Sequence, residues 1–299
     1  KAGPEDILVK ISALNHGPEA AELHLLPTLW FRNDWSAWIS GSNRAASKPL
    51  IERMKAEKGV SALVASHTKL GRYSLYCDGD IQLLFAENET NHERLFPGQK
   101  NESPFAKDGI NDFVVNGRQN AVNPAMKGTK AAAHFQLVVG AGKTAEVRLR
   151  LTKLSDESTV TAPFGKGFDS TFRERIGEAD ELYKSVIPKS VTKDEANVMR
   201  QAIAGMLWSK QFFFFDGDNW LDEHNSNPLH TGYSKKRNTD WYHMFNMDII
   251  SMPDKWEYPW YAAWDLAFHT LPLSIVDPDF AKEQMELMLR SIYLHPNGQ

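Results

Sequence analysis

One cysteine, Cys77, is all that the 299 residues contain, so no intrachain disulfide framework can staple the fold. Its place in a strand-like alternation predicts a buried, inert thiol. Long apolar runs are missing too. The densest, Gln211-Phe212-Phe213-Phe214-Phe215-Asp216, is far short of the roughly 20 residues that span a bilayer, and no membrane crossing is expected. Charge of one sign is also scarce. With 34 basic and 38 acidic residues the net charge is −4, which gives no pull toward nucleic acid or anionic lipid. His224, His230, His243 and His269 have neither a His-Glu-x-x-His spacing nor companion cysteines, so a zinc centre is not expected. No metal and no cofactor is expected elsewhere either. Lys1-Ala2-Gly3-Pro4 shows no initiator Met and no signal pattern, and Leu294-His295-Pro296-Asn297-Gly298-Gln299 stops in turn chemistry. Both ends read as cut, and the expected location is cytoplasmic, with a removed secretion signal left open.

What is present is enough apolar residue for a sizeable core, 42 % of a chain long enough for two domains or parts of two. From Ile7 to about Leu154 the apolar residues alternate with period two: Ile7, Val9, Ile11; Tyr73, Leu75, Cys77; Ile81, Leu83, Phe85; Phe135, Leu137, Val139; Ala145, Val147, Leu149, Leu151. These read as strands with one buried face. Gly140-Ala141-Gly142-Lys143 between the last two runs reads as a hairpin turn. The stretch from Asn88 to Lys130, punctuated by Gly and Pro, reads as a long loop, either a surface insertion or a lid. Many strands without intervening helices predict an antiparallel β-sandwich over residues 1–166.

After Gly167 the period becomes 3.6. A helix starts near Phe168-Asp169-Ser170-Thr171 and ends before Pro188, and Thr192-Lys193-Asp194-Glu195 has capping-box spacing for another. A third is predicted from near Pro259, carrying Trp260, Trp264 and Phe268, and a fourth from Asp277-Pro278. Residues 167–299 therefore read as all-α, with the short connections of a helical toroid or bundle.

The segment from Asn246 to His269 is the most informative, with six aromatic residues between Trp256 and Phe268. Such a face suits the C–H side of a pyranose, although a Trp-rich helix buried in a core has the same composition. Asp265, with Trp264 before it and Trp260 and Tyr261 one turn back, is placed for poor solvation. A carboxyl group there keeps its proton, as a general acid must. Pairing with Lys255, or plain exposure, is the bland alternative. Asp216-Gly217-Asp218-Asn219-Trp220-Leu221-Asp222-Glu223 has oxygen ligands spaced somewhat like a calcium loop but lacks the EF-hand order. Gly140 to Thr144 is not a phosphate loop, since a strand follows it.

The block Tyr258-Pro259-Trp260-Tyr261-Ala262-Ala263-Trp264-Asp265-Leu266-Ala267-Phe268-His269 resembles the Trp-Asp-x-x-Phe-His signature of glycoside hydrolase family 63, which includes processing α-glucosidases and mannosylglycerate-type hydrolases. Leu26-Pro27-Thr28-Leu29-Trp30-Phe31-Arg32-Asn33-Asp34-Trp35 is similar to a motif at the end of an N-terminal sandwich strand in bacterial members. The resemblance implies a β-sandwich followed by the first part of an (α/α)6 toroid, with Asp265 as general acid and inversion at the anomeric carbon. It also implies a Glu base late in the toroid, expected beyond Gln299. Implied substrate contacts are Asp240, Trp241, Lys255, Trp256, Trp260 and Trp264, with Trp30 and Trp35 as weaker candidates at the mouth of the site. The expected partners are an oligosaccharide or small α-glycoside and the remainder of the catalytic domain, not nucleic acid or a membrane. Two rivals remain open: a toroidal sugar phosphorylase, and a carbohydrate-binding scaffold without turnover.

Overall fold

The computed structural model describes residues 1–36, 47–154, 160, 162–253, 262–290 and 293–297. It divides into two compact units, Lys1–Ile176 and Gly177–Gln299.

Two antiparallel sheets make up most of the first unit. One has the order β1 (Asp6–Leu14), β10 (Thr144–Lys153), β6 (Gly71–Asp78), β5 (Val60–His67), β4 (Leu50–Met54) and β8 (Lys127–Gly128). In the other, β2 (Ala21–Leu25) and β3 (Thr28–Trp30) pair with β9 (Lys130–Val139) in one continuous register, and β7 (Gln82–Ala86) pairs with β9 as well. The period-two runs explain the core. Ile51, Leu63, Leu75, Cys77, Val147 and Leu149 from the larger sheet meet Phe85, Ala131, Ala133 and Phe135 from the smaller one in a single buried cluster. Burial pushes the Cys77 thiol up to about 12, so little thiolate forms near neutral pH.

Two expectations need correction here. Gly140 to Lys143 does turn, with the Lys143 N–H donating to the Gly140 carbonyl at 3.0 Å and Gly142 at φ 63°. Yet β9 and β10 belong to different sheets, so the turn carries the chain from one sheet to the other and closes no hairpin. Two alternating runs around a Gly-rich turn look alike in either case. The Asn88–Lys130 stretch, expected as a long loop, contains α1 (His92–Leu95), α2 (Gly109–Asn116) and β8. Its Ile110, Phe113 and Val122 pack on Leu84, Ala86 and Ala132, the second face of the smaller sheet. Arg94 pairs with Asp108 and Asp112 across this layer, and its guanidinium holds the Asp112 carboxyl below the usual carboxylate range.

The unit boundary falls inside α3 (Lys166–Val186). Its first turns are held by the first unit: Phe168 is buried, and Asp169 pairs with Lys10 at 2.9 Å and with Arg148 at 3.7 Å. In the second unit α4 (Lys193–Trp208) opens with the Thr192–Glu195 capping box, and Arg200 ties it to Asp180 at 2.6 Å on α3. After α5 (Gly217–Glu223) come α6 (Ala263–Val276) and α7 (Pro278–Met288). Asp277 caps α7 by accepting from the Phe280 N–H at 3.3 Å. An all-helical half was expected, but β11 (Lys210–Asp216) and β12 (Phe245–Ser251) pair antiparallel between the helices. A run of four phenylalanines has no readable period, and aromatic residues favour strands when a partner strand is available. Among the described residues no helix is long and apolar enough to cross a membrane.

A histidine pair sits on β2 and β9. His24 Nδ1 and His134 Nε2 lie 2.7 Å apart, and the edge of Phe113 meets the His134 ring. Burial first, and His24 second, hold the His134 imidazole below its ordinary 6.5. A lowered folded-state value means that the unfolded chain binds the extra proton more readily, so the stability present above about pH 6.5 is lost as pH falls toward the folded value. The urea midpoint should therefore drop between pH 7 and pH 5, and His134→Gln should flatten that slope. An unchanged slope in the variant would remove His134 as its cause.

Candidate functional site

The helix that carries Asp265 is seated by its neighbours in the second unit. Leu266, the next residue, packs among Ile250, Met252, Ala262 and Leu287. Gln284 on α7, 1 % exposed, bridges twice to the antiparallel β11–β12 pair, a hairpin with a long connection. Its Oε1 accepts from the Ser251 N–H at 3.1 Å, and its Nε2 donates to the Ile249 carbonyl at 3.0 Å. His269 Nδ1 lies 2.9 Å from the Ser251 carbonyl, one turn beyond Asp265. Helix, hairpin and α7 thus share one set of bonds around Ser251.

Asp265 lies in the first turn of α6, where an acidic side chain complements the free N–H groups of a helix start. It is half-buried, and no hydrogen bond or ion pair engages its carboxylate among the described residues. Trp264 is 72 % exposed, and Phe268 meets it edge to face with ring centres 6.0 Å apart. A half-buried carboxylate next to open aromatic surface is suited to meet a ligand with an apolar face and a polar edge.

The other expected contacts lie elsewhere. Asp240 is exposed and pairs with Lys235 at 3.0 Å. Trp241 ends a short 3-10 turn and meets His295 edge-on at 5.3 Å. Its indole N–H is buried with no partner among the described residues. No hydrogen bond or ring contact links Asp240 or Trp241 to Asp265 or Trp264 among those residues. Lys255, Trp256 and Trp260 lie outside the described residues. Trp30 and Trp35 belong to the first unit. Trp30 lines a shallow groove of about 260 Å³ with Leu29, Phe31, Tyr73 and Leu151, and Trp35 Nε1 donates to Glu89 at 2.8 Å.

Polar residues that the sequence reading passed over stand on β12 and just beyond α7. The Asn246 carboxamide is fully buried, with neither of its polar atoms bonded among the described residues. Asp248 accepts from the Tyr293 hydroxyl and lies 3.7 Å from Arg290. Burial, with that hydrogen bond second, pushes the Tyr293 phenol upward. The alternation of Asn246, Asp248 and Ile250 with Phe245, Met247 and Ile249 was the available signal. The turn ahead of β12 is fixed by Gly217, whose N–H donates to the Met244 carbonyl at 2.8 Å; a Cβ there would stand 2.7 Å from that oxygen.

The Asp216–Glu223 segment is a capped helix. Asp216 accepts from the Asn219 N–H at 3.1 Å, while Asp218 and Asp222 both accept from Asn227 Nδ2. Among the described residues no group of three or more His, Cys, Asp or Glu side chains is arranged to hold a metal ion.

No family model matches the sequence. The chain is 36 % identical, over 327 aligned positions, to the uncharacterized protein YMR196W of Saccharomyces cerevisiae. That alignment covers 99 % of this chain and 30 % of the yeast protein, so the chain spans less than a third of the length of this relative.

Removing the Gln284 amide leaves the buried Ser251 N–H and the part-buried Ile249 carbonyl without this partner. Gln284→Ala should lower stability by about 1–3 kcal/mol, read as a fall in the urea midpoint. Glu283→Ala, on the exposed side of α7, should change it by less than about 0.5 kcal/mol. Equal effects from the two variants would show that the amide does not hold the hairpin to α7.

Proposed function

We propose that the chain forms part of an inverting glycoside hydrolase that acts on α-glucosides or related small α-glycosides, with Asp265 as the general acid. The observation that carries this reading is the half-buried Asp265 carboxylate, unpaired among the described residues, beside the open ring of Trp264. An indole face stacks against the apolar C–H side of a sugar ring, and the neighbouring carboxyl group then stands at the level of the ring's oxygens. In the Trp-Asp-x-x-Phe-His signature of family 63, which residues 264–269 resemble, that Asp is the acid. The fold that accompanies this reading is an N-terminal β-sandwich leading into an (α/α)6 toroid, to which the second unit contributes its first part.

The chemistry divides between two carboxyl groups. Asp265 gives its proton to the departing glycosidic oxygen as the bond to the anomeric carbon breaks. A base on the opposite face takes a proton from the attacking water, and the new bond forms with inversion. The two groups stand roughly 6.5–9.5 Å apart in such enzymes, leaving room for the water. The base is a Glu outside residues 1–299, so these residues alone are not expected to turn over substrate. Within the second unit, the hydrogen bonds of Gln284 and His269 position the start of α6, and any drift of that helix moves the acid with it.

The test is sugar release from a panel of α-glucosides, α-mannosides and glycosylglycerates by the full-length protein that contains this chain, beside its Asp265→Asn variant. Hydrolysis to the inverted anomer, reduced by about 10²–10⁴ in the variant with substrate binding retained, is the expected result. Turnover unaffected by the substitution would remove Asp265 as the acid, and binding without any turnover by the parent would leave a carbohydrate-binding scaffold in its place.

A further inference from the structure

The second unit has apolar surface on two opposite sides. On the outer face of the hairpin, Phe212 pairs with Ile249 and Phe214 with Met247, and the edge of Phe245 meets Phe214 at 5.9 Å. These five side chains are 43–64 % exposed. The inner face of the same hairpin, through Phe213 and Ile250, packs on Leu266 of α6. On α6 itself, Leu266, Thr270 and Leu273 are buried, whereas Trp264, Phe268, Leu271 and Ile275 are 53–72 % exposed. At about 100° per residue the two sets form opposite stripes of the helix. Hairpin and helix are therefore stacked as two layers, and each also carries apolar side chains on the face turned away from the other, while Asn246 and Asp248 share the inner side of β12 with Ile250.

Elements of this kind are the inner layers of larger bodies. A helix apolar all round belongs in a core, and strands buried on both faces read as continuous apolar runs, as Phe212 to Phe215 does. We infer that further segments of the same polypeptide, outside residues 1–299, pack on both faces: on the outer side of the β11–β12 hairpin, and on the stripe of α6 formed by Phe268, Leu271 and Ile275, leaving the ring of Trp264 open. Two points select this occupant over a second copy. A closed two-fold dimer buries one self-complementary patch and would leave the opposite one open, while joining the unlike faces of successive copies builds an open filament. The yeast relative, of which the chain matches 30 %, has most of its length outside the aligned region. The named outer residues of the hairpin and of the α6 stripe are uncharged, with Lys210 and Asp216 only at the ends of β11, so the covering segments should present mainly apolar faces.

This inference shares with the proposed function the premise of a larger helical domain, but it does not depend on catalysis by Asp265. It is tested on the full-length protein by placing p-benzoylphenylalanine at Phe214 and, separately, at Phe268, then mapping the photo-cross-links by mass spectrometry. Cross-links within one molecule to peptides outside residues 1–299, from both positions, are expected. Links to residues 1–176, links between two molecules, or no link from either position would overturn the inference. Hydroxyl-radical footprinting of the unsubstituted protein supplies a check free of folding effects. Oxidation of Phe268 and Met247 should be about tenfold slower than in urea, the contrast between a protected and an open side chain, and the protection should survive dilution to monomer. Oxidation as fast as in urea, or protection lost on dilution, would equally overturn it. The same protection in an inactive Asp265→Asn protein keeps this outcome separate from that of the catalytic reading.

Discussion

The Gln284 carboxamide fixes the second unit around a single point. By bonding the main chain on either side of Ile250 it holds α7 to the hairpin, and Leu266 and Leu287 then complete the buried cluster around Ile250 and Met252. A buried amide that satisfies two main-chain groups is strongly directional, because any slip of the hairpin against α7 breaks both bonds together. The apolar contacts alone would tolerate such a slip. The first turn of α6, and so Asp265, takes its position from this arrangement.

Much of the first unit is written in its alternation. Val147 and Leu149, or Leu75 and Cys77, lie on one face because side chains alternate along a strand, and that face is the shared core of the two sheets. Strands such as β5, where four consecutive residues from Ala62 to Ala65 are buried, left no such pattern. Both of their faces are covered, and a continuous apolar run does not declare its period. The same ambiguity hid β11. Helix starts were legible where a side chain does the capping, at Thr192 and Asp277, because a cap is a local interaction encoded within four residues.

The candidate site was legible in part. Asp265 and Trp264 lie in a helix as the aromatic segment suggested, but in its first turn, while the start expected near Pro259 lies outside the described residues; Asp240 and Trp241 belong to another turn with partners of their own. Sequence proximity places residues only along an element. Which turns converge depends on long-range contacts such as Gln284 to Ile249, and these leave no local trace. Asn246 and Asp248 were overlooked for the same reason, since their burial follows from the pairing of β12 with β11.

The buried thiol of Cys77 has a practical consequence. As the sole sulfhydryl of residues 1–299, enclosed between the sheets with its ionisation suppressed, it leaves this stretch silent toward alkylating reagents and maleimide dyes. One cysteine introduced at the surface of either unit would then be the only reactive position within these residues. A fluorophore or spin label could be attached there without first removing the native residue, and so without carving a void in the core it helps to fill.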